Sequence, residues 1–152
     1  MNPTGKEDKE DRYIMFKLDN EEYAVEVYKI KEVINYAEVT EVPNLSPYVK
    51  GVISLRGTVI PILDIKKCFG FPDSQPTKKA RIIVINFKEH IAGLPVDSVE
   101  EVKNISGGTI IPVPQFMERE KTEFLQGIIE YNSRYIMVLK TSVLLECLRY
   151  GN

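Results

Sequence analysis

Few side chains in this 152-residue sequence could carry covalent chemistry, and their spacing works against each use. His90, the single histidine, stands in FKEHIAG at an expected hairpin. No Ser, Cys or carboxylate motif lies beside it to complete a nucleophile and base. Cys68 (KKCFG) and Cys147 (LLECLRY) are far apart in apolar helical contexts. They read as buried, reduced thiols rather than a disulfide or a reactive pair. Neither the cysteines nor the histidine offers metal-ligand spacing. Glu100-Glu101 is expected on a solvated helix face. No residue is assigned a catalytic, metal-binding or cofactor-binding role, which leaves recognition. Arg56 presents a planar five-donor fork that suits carboxylates.

The element that must position Arg56 is Tyr48 to Gly70, YVKGVISLRGTVIPILDIKKCFG. Val52, Leu55, Val59, Ile60, Ile62 and Leu63 predict an apolar strand on each side of Arg56-Gly57. Glycine there tolerates the positive φ of a tight turn. Pro61 cannot donate to a ladder, so its strand is expected to have a free edge or a bulge. Asp64 is placed to cap a helical turn over Ile65 to Phe69, with Gly70 beyond its end.

The rest of the chain is read in order. Residues 1–11 are charged and aperiodic, which predicts a disordered tail. Tyr13–Leu18 and Tyr23–Val27 predict a hairpin, and Val27, Ile30, Val33 and Ile34 fall at helical spacing. Val39–Val42 predicts a short strand, and Phe71–Lys79 an exposed linker. Arg81–Phe87 and Ile91–Leu94 predict a second hairpin, with Val96, Val99 and Val102 marking another short helix. A charged turn or helix is expected at Gln115–Lys121. Phe124–Tyr131 and Tyr135–Leu139 predict the last strands, followed by a helix capped by Thr141 with Leu144, Leu145 and Leu148 on one face.

The order of these elements repeats. Residues 12–33 align with 81–102 without a gap, Val42-Pro43 matches Val113-Pro114, and 49–63 lie over 125–139. Gly51 thereby falls on Gly127, Glu32 on Glu101 and Arg56 on Asn132. Three matches in one order indicate an internal duplication. A unit of about 70 residues with short strands suits a small closed barrel, which removes free sheet edges. The fold class expected is all-β with short helices, as two small five-stranded barrels.

A net charge of −2 argues against a nucleic-acid partner, because phosphate neutralisation needs a basic face. The longest apolar runs are far short of a membrane span, and the charged N-terminus lacks a signal-peptide core. A cytoplasmic protein is expected. An enzymatic or nucleic-acid-binding small barrel is the alternative reading of these features.

The segments VKGVISLRGTVIPILDIKKCFG, EVTEVPNLSPY and GLPVDSVEEV resemble the CheW family of bacterial chemotaxis coupling proteins, a likeness running from about Tyr13 to Arg149. The resemblance implies two intertwined SH3-like or OB-like barrels in one domain spanning 12–152. Its subdomains are expected at approximately 20–80 and 81–150, with exchanged terminal strands. It also implies a non-catalytic cytoplasmic adaptor, placed at receptor arrays without membrane insertion. Its partners would be the histidine kinase CheA, through a CheW-like regulatory domain, and the chemoreceptor cytoplasmic tip. Ser54, where many members carry Asn, leaves that fold untouched, and the length suits a free-standing coupling protein.

The residues assigned to protein binding are Glu32, Ile30, Val33, Val42, Pro43, Gly51, Arg56 and Gly57. Arg56 is peculiar to the first copy, so the hairpin does not need its charge. Glu32 is a candidate partner for it, although Glu101 recurs without an arginine, and the pairing stays open. Gly51 and Gly57 are read chiefly as backbone residues, Gly51 at a bulge or close approach. Ile30, Val33, Val42 and Pro43 could be core or the apolar rim of a groove between the barrels. The resemblance implies that a receptor tip docks in such a groove, with the outer faces meeting CheA.

Overall fold

The computed structural model describes residues 12–43, 46–87, 89–104, 110–114 and 122–148. The tail at 1–11 and the charged segment at 115–121 lie outside the described residues. Eleven strands are described: β1 (Arg12–Leu18), β2 (Glu21–Glu26), β3 (Ile30–Asn35), β4 (Val49–Leu55), β5 (Thr58–Leu63), β6 (Arg81–Phe87), β7 (His90–Val96), β8 (Ser98–Asn104), β9 (Ile110–Ile111), β10 (Leu125–Tyr131) and β11 (Arg134–Leu139). Two short helices, α1 (Ile65–Cys68) and α2 (Thr141–Glu146), follow β5 and β11. The protein is all-β in two sheets. The first runs β8-β1-β2-β11-β10-β9 and the second β3-β6-β7-β5-β4.

The two sheets are the same sheet built twice. Under the sequence repeat β1 maps on β6, β2 on β7, β3 on β8, β4 on β10 and β5 on β11, and the two orders then coincide. The parallel pair Ile62↔Gly93 becomes Val138↔Ala24, and the bridge Thr40↔Val52 becomes Ile111↔Ile128. Thr40 is therefore what remains, in the second sheet, of the strand that β9 supplies to the first. Each copy's opening hairpin joins the later strands of the other copy.

This exchange explains the apolar run RIIVINF and its counterpart in β1, since both faces of these strands are covered. Tyr13, Met15, Ala24, Ile129, Ile136 and Val138 form a cluster in the first sheet. The equivalent residues Ile82, Val84, Ile53, Ile60 and Ile62 form one in the second. The opposite faces, with Phe16, Leu18 and Val25 from one sheet and Ile83, Ile85 and Leu94 from the other, share the large central core. Both helices lie over that core, through Ile65, Phe69, Leu144 and Leu145.

Three expectations about helices change. Only Val27–Lys29 is helical, as one 3-10 turn, and Ile30–Asn35 is strand β3. Val99 and Val102 likewise lie on β8, and so does Glu100-Glu101. Pairing decided both cases: β3 lies against β6 and β8 against β1, with a bulge in β3 between Ile30 and Glu32 and one in β8 between Val99 and Val102. A bulge shifts the alternation of side chains by one, and strand spacing then imitates helical spacing. Thr141 opens α2 from inside, buried, and Lys140 is the cap residue. The expected strand at Val39–Val42 is the single bridge at Thr40.

Candidate functional site

The β4–β5 hairpin turns on Arg56-Gly57, both with positive φ (49° and 84°). That is the two-residue turn whose twist matches paired strands. Gly57 is exposed, with nothing within 4 Å of where a Cβ would stand, so its glycine answers to the backbone angle alone. Pro61 lies opposite Val52 in a strand flanked by β7 and β4, not at an edge. Pairs alternate away from a two-residue turn, so this one is not hydrogen-bonded. The missing N–H thus faces β7, where Ile62↔Gly93 is the one ladder pair. Below the hairpin, Asp64 Oδ1 accepts from the Lys67 N–H (3.2 Å) as helix cap, and Gly70 takes φ 77° past the end.

At the tip, Arg56 Nη2 donates to Glu32 Oε2 in an ion pair. Glu32 lies on β3, one edge of the second sheet, while Arg56 joins β4, the other edge, to β5. Three to four strand spacings of ~4.8 Å would separate them in a flat sheet, beyond two side chains' reach. The pair therefore reports that the sheet is coiled on itself. Arg56 is 67% exposed and Glu32 27%, so the pair contributes little stability and leaves most of the guanidinium fork in solvent. Beside it lies a cleft of about 160 Å³ lined by Lys31, Glu32, Leu55, Arg56, Ile60 and Ile91, among others.

The remaining expected residues fall into two places. Gly51 is buried, and a Cβ on it would stand 2.2 Å from the Thr40 carbonyl oxygen. It lies at the bulge between Val49 and Gly51, so both the bulge and the close approach are present. The segment leaving that contact carries Val42 and Pro43, both exposed. A broad depression of about 420 Å³ opens near it, between Tyr36, Glu38, Val39, Glu41, Lys50, Gln75 and Pro76. Ile30 and Val33, by contrast, pack against the central core. The structure thus joins Glu32, Arg56 and Gly57 at the tip, links Gly51 to Thr40 just before Val42-Pro43, and sends Ile30 and Val33 inward.

Ile60, Val84 and Ile91 at the cleft are strand residues in the sequence pattern, with nothing local to mark them as site residues. Val84 and Ile91 belong to β6 and β7 of the other copy, and only the exchange of hairpins brings them there. Among the described residues no group of three His, Cys, Asp or Glu could hold a metal ion. No helix among them is long and apolar enough to cross a membrane.

Residues 12–148 match the family model described as CheW-like domain. The chain is 32% identical over 133 residues to the chemotaxis protein CheW of Klebsiella aerogenes, covering 88% of this chain and 80% of that protein. It is 27% identical over 136 residues to the chemotaxis protein CheW of Bacillus subtilis, covering 90% and 87%. The crystal structure of the scaffolding protein TtCheW from Thermoanaerobacter tengcongensis superposes with a TM-score of 0.81 at 32% identity, covering 88% and 86%. With the duplicated sheets and the tip geometry, these matches place the chain in the CheW-like family of chemotaxis scaffold proteins.

Proposed function

We propose that this protein couples chemoreceptors to the histidine kinase CheA by binding both, without catalysing a reaction. The coupling would take place in the cytoplasm, at receptor arrays on the inner face of the membrane. Arg56 is the observation that carries the reading. A guanidinium mostly in solvent, with Glu32 as its carboxylate partner among the described residues, at a tight turn beside a cleft lined by Leu55, Ile60 and Ile91, suits a partner's acidic side chain. Glu32 and Gly57 belong to that contact as orienting carboxylate and turn. Val42 and Pro43 offer exposed apolar surface along the neighbouring edge, held in place by Gly51. Ile30 and Val33 support the strand from the core side.

The same reading divides residues 12–152 into two subdomains, approximately 20–80 and 81–150, with exchanged terminal strands. Its support is the sheet order, in which β1 and β2 join β8–β11 while β6 and β7 join β3–β5. The functional test is titration of the protein, and of Arg56→Ala, with a receptor cytoplasmic fragment and with a CheA regulatory domain separately. Selective loss toward one partner by a folded variant supports the reading. Full retention of both affinities overturns the role of Arg56, and binding of neither partner by the parent overturns the function.

A further inference from the structure

The cleft beside Arg56 has a counterpart in the other half of the chain, and that counterpart holds a ring. Tyr131 and Arg134 flank the β10–β11 turn, as Leu55 and Thr58 flank the β4–β5 turn. Tyr131 packs against the apolar cluster of the first sheet. The Arg134 guanidinium lies over its ring, 6.0 Å from the centroid, and pairs with Glu22 at 2.7 Å. Under the repeat, Leu55 replaces Tyr131, Thr58 replaces Arg134 and Ile91 replaces Glu22. All three replacements line the cleft, where a ring, a cation and a carboxylate have gone together.

We propose that this cleft receives a phenyl ring from the partner protein, carried on the same segment as the acidic residue that meets Arg56. The proposal rests on the coupling function above and adds what the partner must carry. Size is the first support. The cleft holds about 160 Å³, and an apolar cavity of ~150 Å³ admits benzene. Its surface is the second. Ile60 and Val84 are buried, Leu55 and Ile91 half-buried, so the floor has no polar group to hold water there.

Charge is the third support. Lys31 and Arg56 are exposed where they line the cleft, and against Glu32 they leave its rim net positive. An acidic neighbour of the ring is therefore favoured and a basic one opposed. Arg56 can serve both groups at once. A guanidinium stacks on a ring through its planar face and donates to a carboxylate along its edge. Arg134 already does both within the chain, with Tyr131 and Glu22. The second tip thus carries the same arrangement with the ring and one acid left for a partner to supply.

The test titrates the parent, Leu55→Tyr and Thr58→Arg with a receptor cytoplasmic fragment and with a CheA regulatory domain separately, beside melting curves. Leu55→Tyr fills the cleft with the chain's own ring and should weaken one partner by roughly thirtyfold, the same one that Arg56→Ala weakens. Thr58→Arg, at an exposed position, puts a guanidinium across the same mouth and should lose roughly tenfold with Tm unchanged. It keeps the test decisive if Leu55→Tyr folds poorly. Phenylpropionate, a ring joined to a carboxylate, should give saturable NMR shifts at the methyls of Leu55, Ile60, Val84 and Ile91. Phenethylamine, the same ring with a cation, should shift them far less. Folded variants that keep both affinities overturn the proposal and leave the coupling function standing. Equal shifts from the two probes, or shifts only elsewhere, overturn it too. A parent that binds neither partner overturns the coupling function, and the proposal with it.

Discussion

At the β4–β5 tip the arginine sits in the turn, at Arg56. At the equivalent β10–β11 tip the turn is Asn132-Ser133 and the arginine follows at Arg134. Both pair with a glutamate, but across different distances in the sheet. Arg134 Nη1 donates to Glu22 Oε2 at 2.7 Å, and Glu22 lies on β2, the strand hydrogen-bonded to β11. Arg56 instead reaches Glu32 on the opposite edge. Where the first sheet has Arg134 and Glu22, the second has Thr58 and Ile91, and the cleft lies between them. One duplicated hairpin thus carries a pair that staples neighbours, and the other a pair that spans a closure beside open space. The difference shows how equal backbones become unequal surfaces: a few side chains move the charge, and a cleft is left where an ion pair had filled the site.

The largest effect that would test this equivalence is at the paired glycines. Gly51→Ala places a methyl 2.2 Å from the Thr40 oxygen, and should cost about 3 kcal/mol of unfolding free energy in urea. In Gly127→Ala the added methyl would stand 2.9 Å from the γ2-methyl of Ile110 and 3.0 Å from the Ile111 carbonyl oxygen, a looser fit than at Gly51, so about 1 kcal/mol is expected. Equal losses would mean that the two edges are held alike.

Next in size is Arg56→Ala, which should leave urea stability within about 0.5 kcal/mol. It should weaken one partner by roughly thirtyfold in calorimetric titration. Arg56→Lys should restore only part of that, because an ammonium loses the planar fork. If melting falls and binding does not, the pair is a brace for the closure, and the contrast drawn between the tips fails.

A smaller effect separates the hairpins by pH. Tyr23 on β2 is buried against Phe16 and Phe69 where the second copy has Ala92. Burial first, then the Glu21 charge, push the Tyr23 hydroxyl above its ordinary value of 10.0. The folded state keeps a proton that the unfolded chain releases. This stabilisation is therefore complete below pH 10 and is lost as pH rises beyond it, by up to ~1.4 kcal/mol per unit. Unfolding followed from pH 9 to 11 should show that slope, and Tyr23→Phe should flatten it. The smallest effect is Arg134→Ala, expected to cost about 0.5 kcal/mol with both partner affinities intact. A binding loss there would give the second tip the role assigned to the first.

Much of this is legible in the sequence, and what is not legible shares a cause. The turn at Arg56-Gly57 was legible because glycine tolerates positive φ, and in the structure Asp19-Asn20, Arg56-Gly57 and Asn132-Ser133 all adopt it. Asp64 as cap was legible because it depends on neighbours in the chain, and Gly51 at a bulge because the repeat places Gly127 on it. Ile30 to Ile34 and Val96 to Val102 were misread as helices, because one bulge in each strand reproduces the spacing of a helical face. At the site, Arg56 stood out because its repeat partner is not an arginine. The pairing with Glu32 depended on how far the sheet coils, a property spread over five strands.

What the sequence determined by itself was the local grammar and its repetition: strand, two-residue turn, strand, helical turn, written twice. Those choices are made by φ preferences, caps and apolar alternation, which act over a few residues. Only the tertiary structure decided which copy's hairpin completes which sheet, since both hairpins carry nearly the same apolar faces and either sheet offers the same edge. That choice rests on the sum of many long-range contacts in the shared core. From it follow the cleft beside Arg56 and the closure through Glu32.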